Sequence, residues 1–299
     1  MAPKKTSSYN FPAPIDNEQL VGHRAIRRTF DDAWARRNEY PLHPVWMLAG
    51  ARGIGKATLA YQIAQKVYGN IGDFFIIDMA HNIDKDGKPK TDGKVISVYT
   101  VRAMIEKMQL SSFSGGWRVI LIDSVDELNA AASNAILKLL EEPPANTLFL
   151  LVAHQLANVL PTIRSRSRVE KMTPLNISEL RDLCATFLPG EEISSATLRL
   201  ANGSFGKIAN LKITGGDDIY ESLLELLEDQ RANSADIMRI AKKIAAEPPL
   251  HGILLDAIAH FGLADLYPTA TRDLANIREV YLEPEIGIFK IITDIKKCL

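Results

Sequence analysis

The sequence predicts an α/β domain built on a parallel sheet, then a small helical segment, then a longer all-helical one. Three observations carry this. Strand-like and helix-like stretches alternate up to about Val169, and the first clear strand, Val45–Ala49, is apolar throughout. A glycine-rich loop, Gly50-Ala-Arg-Gly-Ile-Gly-Lys-Ala-Thr58, joins the first clear strand to a helix. After Pro174 the strand signals fade, and helical periodicity runs to the end of the chain.

In order, Glu18 to Arg37 is a polar helix candidate. Val45-Trp-Met-Leu-Ala49 is a short apolar run, as expected of a strand buried on both faces. The helix after the glycine loop places Leu59, Ile63 and Val67 four apart, which gives one buried stripe. Phe74–Ile77 and Val95–Val98 read as further strands, separated by the polar turn region HNIDKDGKPKTDGK. Val101–Leu110 reads as a helix with Thr100 as N-cap. Arg118–Ile122 is another buried strand, ending in Asp123. The helix from about Asn129 to Glu142 is stopped by Pro143-Pro144. Thr147–Val152 is the next strand. Beyond it, Ser178–Leu188, Glu192–Ala201 and Ser204–Leu211 read as short helices, with Gly203 where a C-cap belongs. Gly215-Gly216 marks a hinge, and Pro248-Pro249 and Pro284 break the last helical stretch.

Composition excludes several classes. The chain has 299 residues, enough for two or three domains. Its formal net charge of −1 gives no global basicity for nucleic acid, though a local basic face is compatible with it. Cys184 and Cys298 lie far apart, so no disulfide framework or zinc cluster follows, and a reducing cytosol fits. The opening MAPKKTSSYNFPAP lacks the apolar core of a signal peptide and reads as a disordered lead-in over residues 1–15. No apolar run reaches membrane-spanning length, so no membrane is expected.

Two motifs point to phosphate chemistry. Gly50, Gly55 and Lys56 fit the phosphate-binding pattern G-x-x-x-x-G-K-[ST], with Gly53 as a further glycine. Such a loop aims backbone N–H groups and a helix N-terminus at an anion, and the lysine lies against the β- and γ-phosphates. The next position normally carries a magnesium-holding hydroxyl. Here it is Ala57, and Thr58 is one residue late, about 100° round the helix. A tight strand-to-helix turn needs the same glycines, so both readings stand at this point. Val119-Ile-Leu-Ile-Asp123 is the second motif, a strand ending in the aspartate that contacts magnesium in P-loop ATPases. Ser124 occupies the place of the usual catalytic glutamate. Asp126 and Glu127 read as acidic residues at the start of the next helix. Arg164, Arg166 and Arg168 alternate, which by spacing alone is one solvated face of a strand.

Leu128 to His154 (LNAAASNAILKLLEEPPANTLFLLVAH), Leu160 to Ser167 (LPTIRSRS) and Leu20 to Phe30 (LVGHRAIRRTF) together resemble the bacterial clamp-loader subunits of the AAA+ class. The resemblance covers roughly residues 18–212, with several motifs in the right order and spacing. It implies an AAA+ P-loop domain over 16–172, a three-helix lid over 173–214 and a helical collar for oligomerisation over 215–299.

The resemblance also implies roles. IRSRS matches the family's Ser-Arg-Cys motif, with Ser167 replacing the cysteine, and Arg166 becomes an arginine finger acting on a neighbour's ATP. The γ-phosphate sensor of active members falls near Ala153, beside His154, which reads as an ordinary loop histidine. Gly203 to Lys207 matches the second-domain sensor segment, with Lys207 in place of an arginine. Many relatives bind zinc through four cysteines; the segment from Gly69 to Ser97 has none, so no zinc or other metal is expected. Losses in cis at Ala57, Ser124 and Ala153, beside an intact Arg166, imply a non-hydrolysing stator. Its loop would hold ATP or ADP, if either, without efficient hydrolysis. The implied partners are gamma/tau motor subunits, the delta subunit, the sliding clamp through the complex, and primer–template DNA. Arg24, Arg27 and Arg28, which share a helix face, and Lys138 are the candidate DNA contacts. The rival expectations are a competent AAA+ motor using Lys56, Thr58 and Asp123, and a small-molecule P-loop kinase. The second leaves LLEEPP and IRSRS unexplained.

Overall fold

The computed structural model describes residues 11–69, 72–90, 95–110, 116–279 and 283–299. Among these the chain forms two compact units, one from 11–186 with 203–206 and one from 187–202 with 207–299. Residues 173–214, expected as one lid, contribute to both.

The first unit runs α1 (Arg24–Ala35), β1 (Val45–Ala49), α2 (Lys56–Tyr68), β2 (Asp73–Asp78), α3 (Val98–Leu110), β3 (Arg118–Asp123), α4 (Ala130–Glu141), β4 (Thr147–Ala153), α5 (Pro161–Arg164), β5 (Arg168–Lys171) and α6 (Ile177–Phe187). The sheet order is β2-β3-β4-β1-β5 and every pairing is parallel. Period-two alternation sorts the central strands onto two faces. Met47, Ile120, Ile122 and Leu151 meet α3, α4 and α5 on one side. Trp46, Leu48, Leu121 and Leu150 meet α1 and α2 on the other. Burial on both faces is what made β1, β3 and β4 legible as apolar runs.

Several local expectations are corrected. The helix expected from Glu18 begins at Arg24, because Gly22 (φ 77°) and His23 (φ 54°) adopt left-handed backbone that a helix cannot contain. Val95–Val98 is not a strand. Ile96 makes a single parallel bridge to Leu128, and α3 already starts at Val98. Buried Asn82 draws this segment in: its Oδ1 accepts from Ser97 N–H at 2.9 Å and from Thr100 Oγ1 at 2.9 Å. Thr100 therefore lies inside α3 rather than capping it. Residues 91–94 of the expected turn region lie outside the described residues. Asn129, expected as the first residue of its helix, instead caps α4, its Oδ1 accepting from Ala132 N–H at 2.8 Å. Of the expected lead-in, residues 1–10 lie outside the described residues, while Phe11 sets its ring edge-on to Phe205, centroids 5.9 Å apart.

The second unit holds α7 (Ser195–Ala201), most of α8 (Phe205–Thr214), α9 (Gly216–Glu228), α10 (Ser234–Ala245), α11 (Ile253–His260), α12 (Tyr267–Glu279) and α13 (Pro284–Lys297). The α7 start moves from Glu192 to Ser195 because Ser194 supplies the cap, accepting from Thr197 N–H. Asn202, in left-handed backbone, ends α7 with Gly203 beyond it. The Gly215-Gly216 hinge is a packed corner: a Cβ on Gly216 would lie 2.5 Å from Leu250. Leu223, Leu227, Ile240, Ile244, Leu254, Ile288 and Ile292 form one core with their neighbours. Among the described residues no helix is long and apolar enough to cross a membrane.

Candidate functional site

The glycine loop leaves β1 at the C-terminal edge of the sheet, where open parallel sheets bind ligands. Gly50 N–H donates to the Ala153 carbonyl at 3.1 Å, tying the loop to the end of β4. Gly53 (φ 74°) and Gly55 (φ 97°) take left-handed backbone, and Gly55 caps α2. His23 Nε2 donates to the Ile54 carbonyl at 2.7 Å. Gly206 N–H donates to the Gly53 carbonyl at 3.0 Å. Residues 204–206 thus lie directly on the loop, and a Cβ on Gly53 would stand 2.3 Å from Ser204 Oγ and 2.9 Å from Gly206 Cα.

Lys56 is buried, and its ammonium donates to the loop's own carbonyls, Gly50 at 2.7 Å and also Ala51. Burial holds its pKa down to about 8, against the pull of Asp123 and Asp126. Asp123 closes β3, in register with Asp78 of β2. Burial raises its pKa, Asp78 and Glu127 push the same way, and a 3.3 Å hydrogen bond from Ser124 Oγ opposes them with Lys56. Thr58 is buried in the first turn of α2.

Asp126 and Glu127 do not begin α4. They lie in a 3-10 turn over Val125–Glu127. The Asp126 carboxylate accepts from the backbone N–H groups of His154 at 3.0 Å and Gln155 at 2.9 Å, fixing the chain as it leaves β4. Glu127 pairs with Arg52, which ties the glycine loop to the segment after β3. Neither tie was foreseen; the signal was an arginine inside the loop and two acids after the strand. His154 is half-buried and its Nδ1 has no hydrogen-bond partner among the described residues. Burial, with the charges of Lys56 and Arg52, pushes its pKa down to about 4, so the ring is neutral near pH 7.

The cluster therefore brings together Gly50, Gly53, Gly55, Lys56 and Asp123, with Ser124 directly after β3 and Ala153 at the end of β4. Among the described residues no group of three or more His, Cys, Asp or Glu is arranged to hold a metal.

Arg166 lies elsewhere. The Arg164–Arg168 alternation is not a strand face, because α5 includes Arg164, a turn carries Arg166, and β5 starts only at Arg168. Arg166 is partly exposed. Its Nη1 donates to the Thr162 carbonyl at 2.9 Å, and its Nη2 pairs with Glu141 Oε1 at 2.7 Å. Arg168 is in register with Trp46, near the start of β1, whereas the glycine loop follows Ala49 at the other end. Four residues of strand, about 13 Å, separate these levels, and Arg166 precedes Arg168 by two more.

Lys207 belongs to the second unit and points its ammonium at Asp256, 2.8 Å from each carboxylate oxygen. Arg24, Arg27 and Arg28 are exposed on α1, with Arg27 donating to Gln62 Oε1 at 3.1 Å. Lys138 is exposed on α4. Because α1 and α4 cover opposite faces of the sheet, these four do not form one patch.

A family described as DNA polymerase III, delta subunit, matches residues 34–176. The DNA polymerase III subunit delta' of Pseudomonas aeruginosa is 27% identical over 288 residues, covering 83% of this chain and 81% of that protein. The DNA polymerase III subunit gamma of Buchnera aphidicola subsp. Schizaphis graminum is 26% identical over 217 residues, 66% of this chain and 58% of that protein, so the chain spans less than two thirds of it. Among solved structures, a DNA polymerase III gamma subunit-related protein from Thermotoga maritima has a TM-score of 0.51 at 15% identity, covering 91% of this chain and 98% of that one. That last likeness concerns the fold.

Proposed function

We propose, from the match of residues 34–176 to the family described as DNA polymerase III, delta subunit, that the chain is a clamp-loader subunit of the delta-prime type. It acts in the cytoplasm as a non-hydrolysing stator. Arg166 serves as an arginine finger, completing the ATP site of a neighbouring gamma/tau motor subunit. The complex also holds a delta subunit and loads the sliding clamp on primer–template DNA. Residues 173–214 serve as the lid and 215–299 as the collar. The glycine loop with Lys56, Thr58 and Asp123 is a degenerate nucleotide site, and Arg24, Arg27 and Arg28 or Lys138 touch DNA phosphate.

One observation carries the reading: Arg166 lies toward the opposite end of the sheet from its own glycine loop. It is too far to serve a nucleotide bound there, yet its guanidinium is accessible at the surface. A cation so placed can act on a γ-phosphate only in another subunit, where it stabilises charge that develops on phosphoryl transfer. Its own loop supports the same reading, since Lys56 rests on backbone carbonyls and Ala57 offers no side-chain oxygen to magnesium.

The test is steady-state ATP hydrolysis. The chain alone should show no turnover above a Lys56→Ala control. A complex reconstituted with Arg166→Ala should assemble normally and lose on the order of tenfold or more of the hydrolysis at the one site it serves. Motor-level turnover by the isolated chain, abolished by Lys56→Ala, would establish a competent motor ATPase instead.

A further inference from the structure

The Arg166 ion pair raises a question of placement. Glu141 is the last residue of α4. The helix C-terminus is the negative end of the helix dipole, where a carboxylate is unfavourable. Glu142 follows at once and adds a second negative charge. Helix stability therefore does not explain an acid at 141. What it does have is a contact: Glu141 Oε1 lies 2.7 Å from Arg166 Nη2, while Nη1 is held by the Thr162 carbonyl at 2.9 Å and reaches Ser165 Oγ at 3.4 Å.

We propose that Glu141 is a positioning residue for the arginine finger: a resting latch whose carboxylate holds the guanidinium until a neighbour's phosphate displaces it. The inference rests on the finger reading above. The chemistry is a competition between two anions for one guanidinium. A carboxylate offers a single charge, while a γ-phosphate in the act of transfer spreads more charge over three oxygens. The pair is also weak enough to open. Both side chains are partly exposed, 35% for Arg166 and 47% for Glu141, and exposed pairs contribute little and are screened by salt. The Thr162 carbonyl grips the other nitrogen and bears no net charge, so it keeps the finger near its seat without competing for the phosphate.

The experiment uses the reconstituted complex with ATP, clamp and primed DNA, comparing Glu141→Gln, Arg166→Ala and the double variant. Glutamine keeps the size of the side chain and removes its charge. The latch predicts that Glu141→Gln raises the ATPase rate about two- to fivefold. The gain should vanish in the Arg166→Ala background and shrink as salt rises. A Glu141→Gln complex with an unchanged or lower rate overturns the latch, and so does a gain that persists without Arg166. If Arg166→Ala alone leaves hydrolysis intact, the finger reading falls and the latch with it. A slow Arg166→Ala complex beside an unchanged Glu141→Gln complex overturns the latch alone.

Discussion

Replacing Gly53 with alanine tests how tightly residues 204–206 are built onto the glycine loop. Two costs arise. Gly53 has φ 74°, and left-handed backbone costs a non-glycine residue about 1–2 kcal/mol. The new methyl would also lie 2.9 Å from Gly206 Cα and 2.3 Å from Ser204 Oγ. Ser204 can turn its hydroxyl away, but a backbone Cα cannot yield without moving the chain, and overpacking of this kind costs about 1–3 kcal/mol. Gly87 is a matched control: it has the same φ of 74°, and its Cβ would meet nothing within 4 Å. Both changes equally restrict the unfolded chain, so their difference isolates the collision. Gly53→Ala should therefore lose about 1–3 kcal/mol more than Gly87→Ala. Urea unfolding followed by tryptophan fluorescence suits the measurement, because Trp34, Trp46 and Trp117 all belong to the first unit. A Gly53→Ala protein no less stable than Gly87→Ala would refute the reasoning and place 204–206 off the loop.

His154 yields a pH dependence. Its folded pKa of about 4 lies below the unfolded value of 6.5, so the unfolded chain binds more protons between them. Stability of the first unit should thus fall as pH drops from 6.5 towards 4, by on the order of 1 kcal/mol once partial exposure is allowed for. His154→Gln should remove that component from a pH series of unfolding curves. Asn129→Ala should cost about 1 kcal/mol through the lost α4 cap, with Asn129→Asp recovering most of it in the same denaturation assay.

Most of the α/β architecture was legible along the chain, because its signals are local. A central parallel strand must be apolar on both faces, so β1, β3 and β4 announce themselves. Prolines at 143 and 144 stop α4 wherever it packs. The errors came where a distant residue captured a segment. Val95–Val98 has strand composition, yet Asn82 takes its polar groups and α3 begins early. Residues 18–23 continue a helical pattern, yet Gly22 and His23 leave helical backbone, with the His23 ring held on the Ile54 carbonyl. Asp126 reads as a helix-start acid, yet its carboxylate ties down His154 and Gln155.

The glycine loop shows the division most sharply. The sequence by itself determined which chemical groups are available: a lysine and three glycines, no hydroxyl at 57, a serine at 124, an alanine at 153, an arginine at 166. Each is a property of one position, and no folding can alter it. Only the tertiary structure decided where those groups meet. It set Lys56 on the loop carbonyls, Gly206 against Gly53, Lys207 on Asp256 and Arg166 on Glu141. It also put α1, with Arg24, Arg27 and Arg28, and α4, with Lys138, on opposite faces of the sheet. Periodicity reports which face of an element is buried. It does not report which other element covers that face, because strand order and long-range contacts are settled by packing of the whole domain.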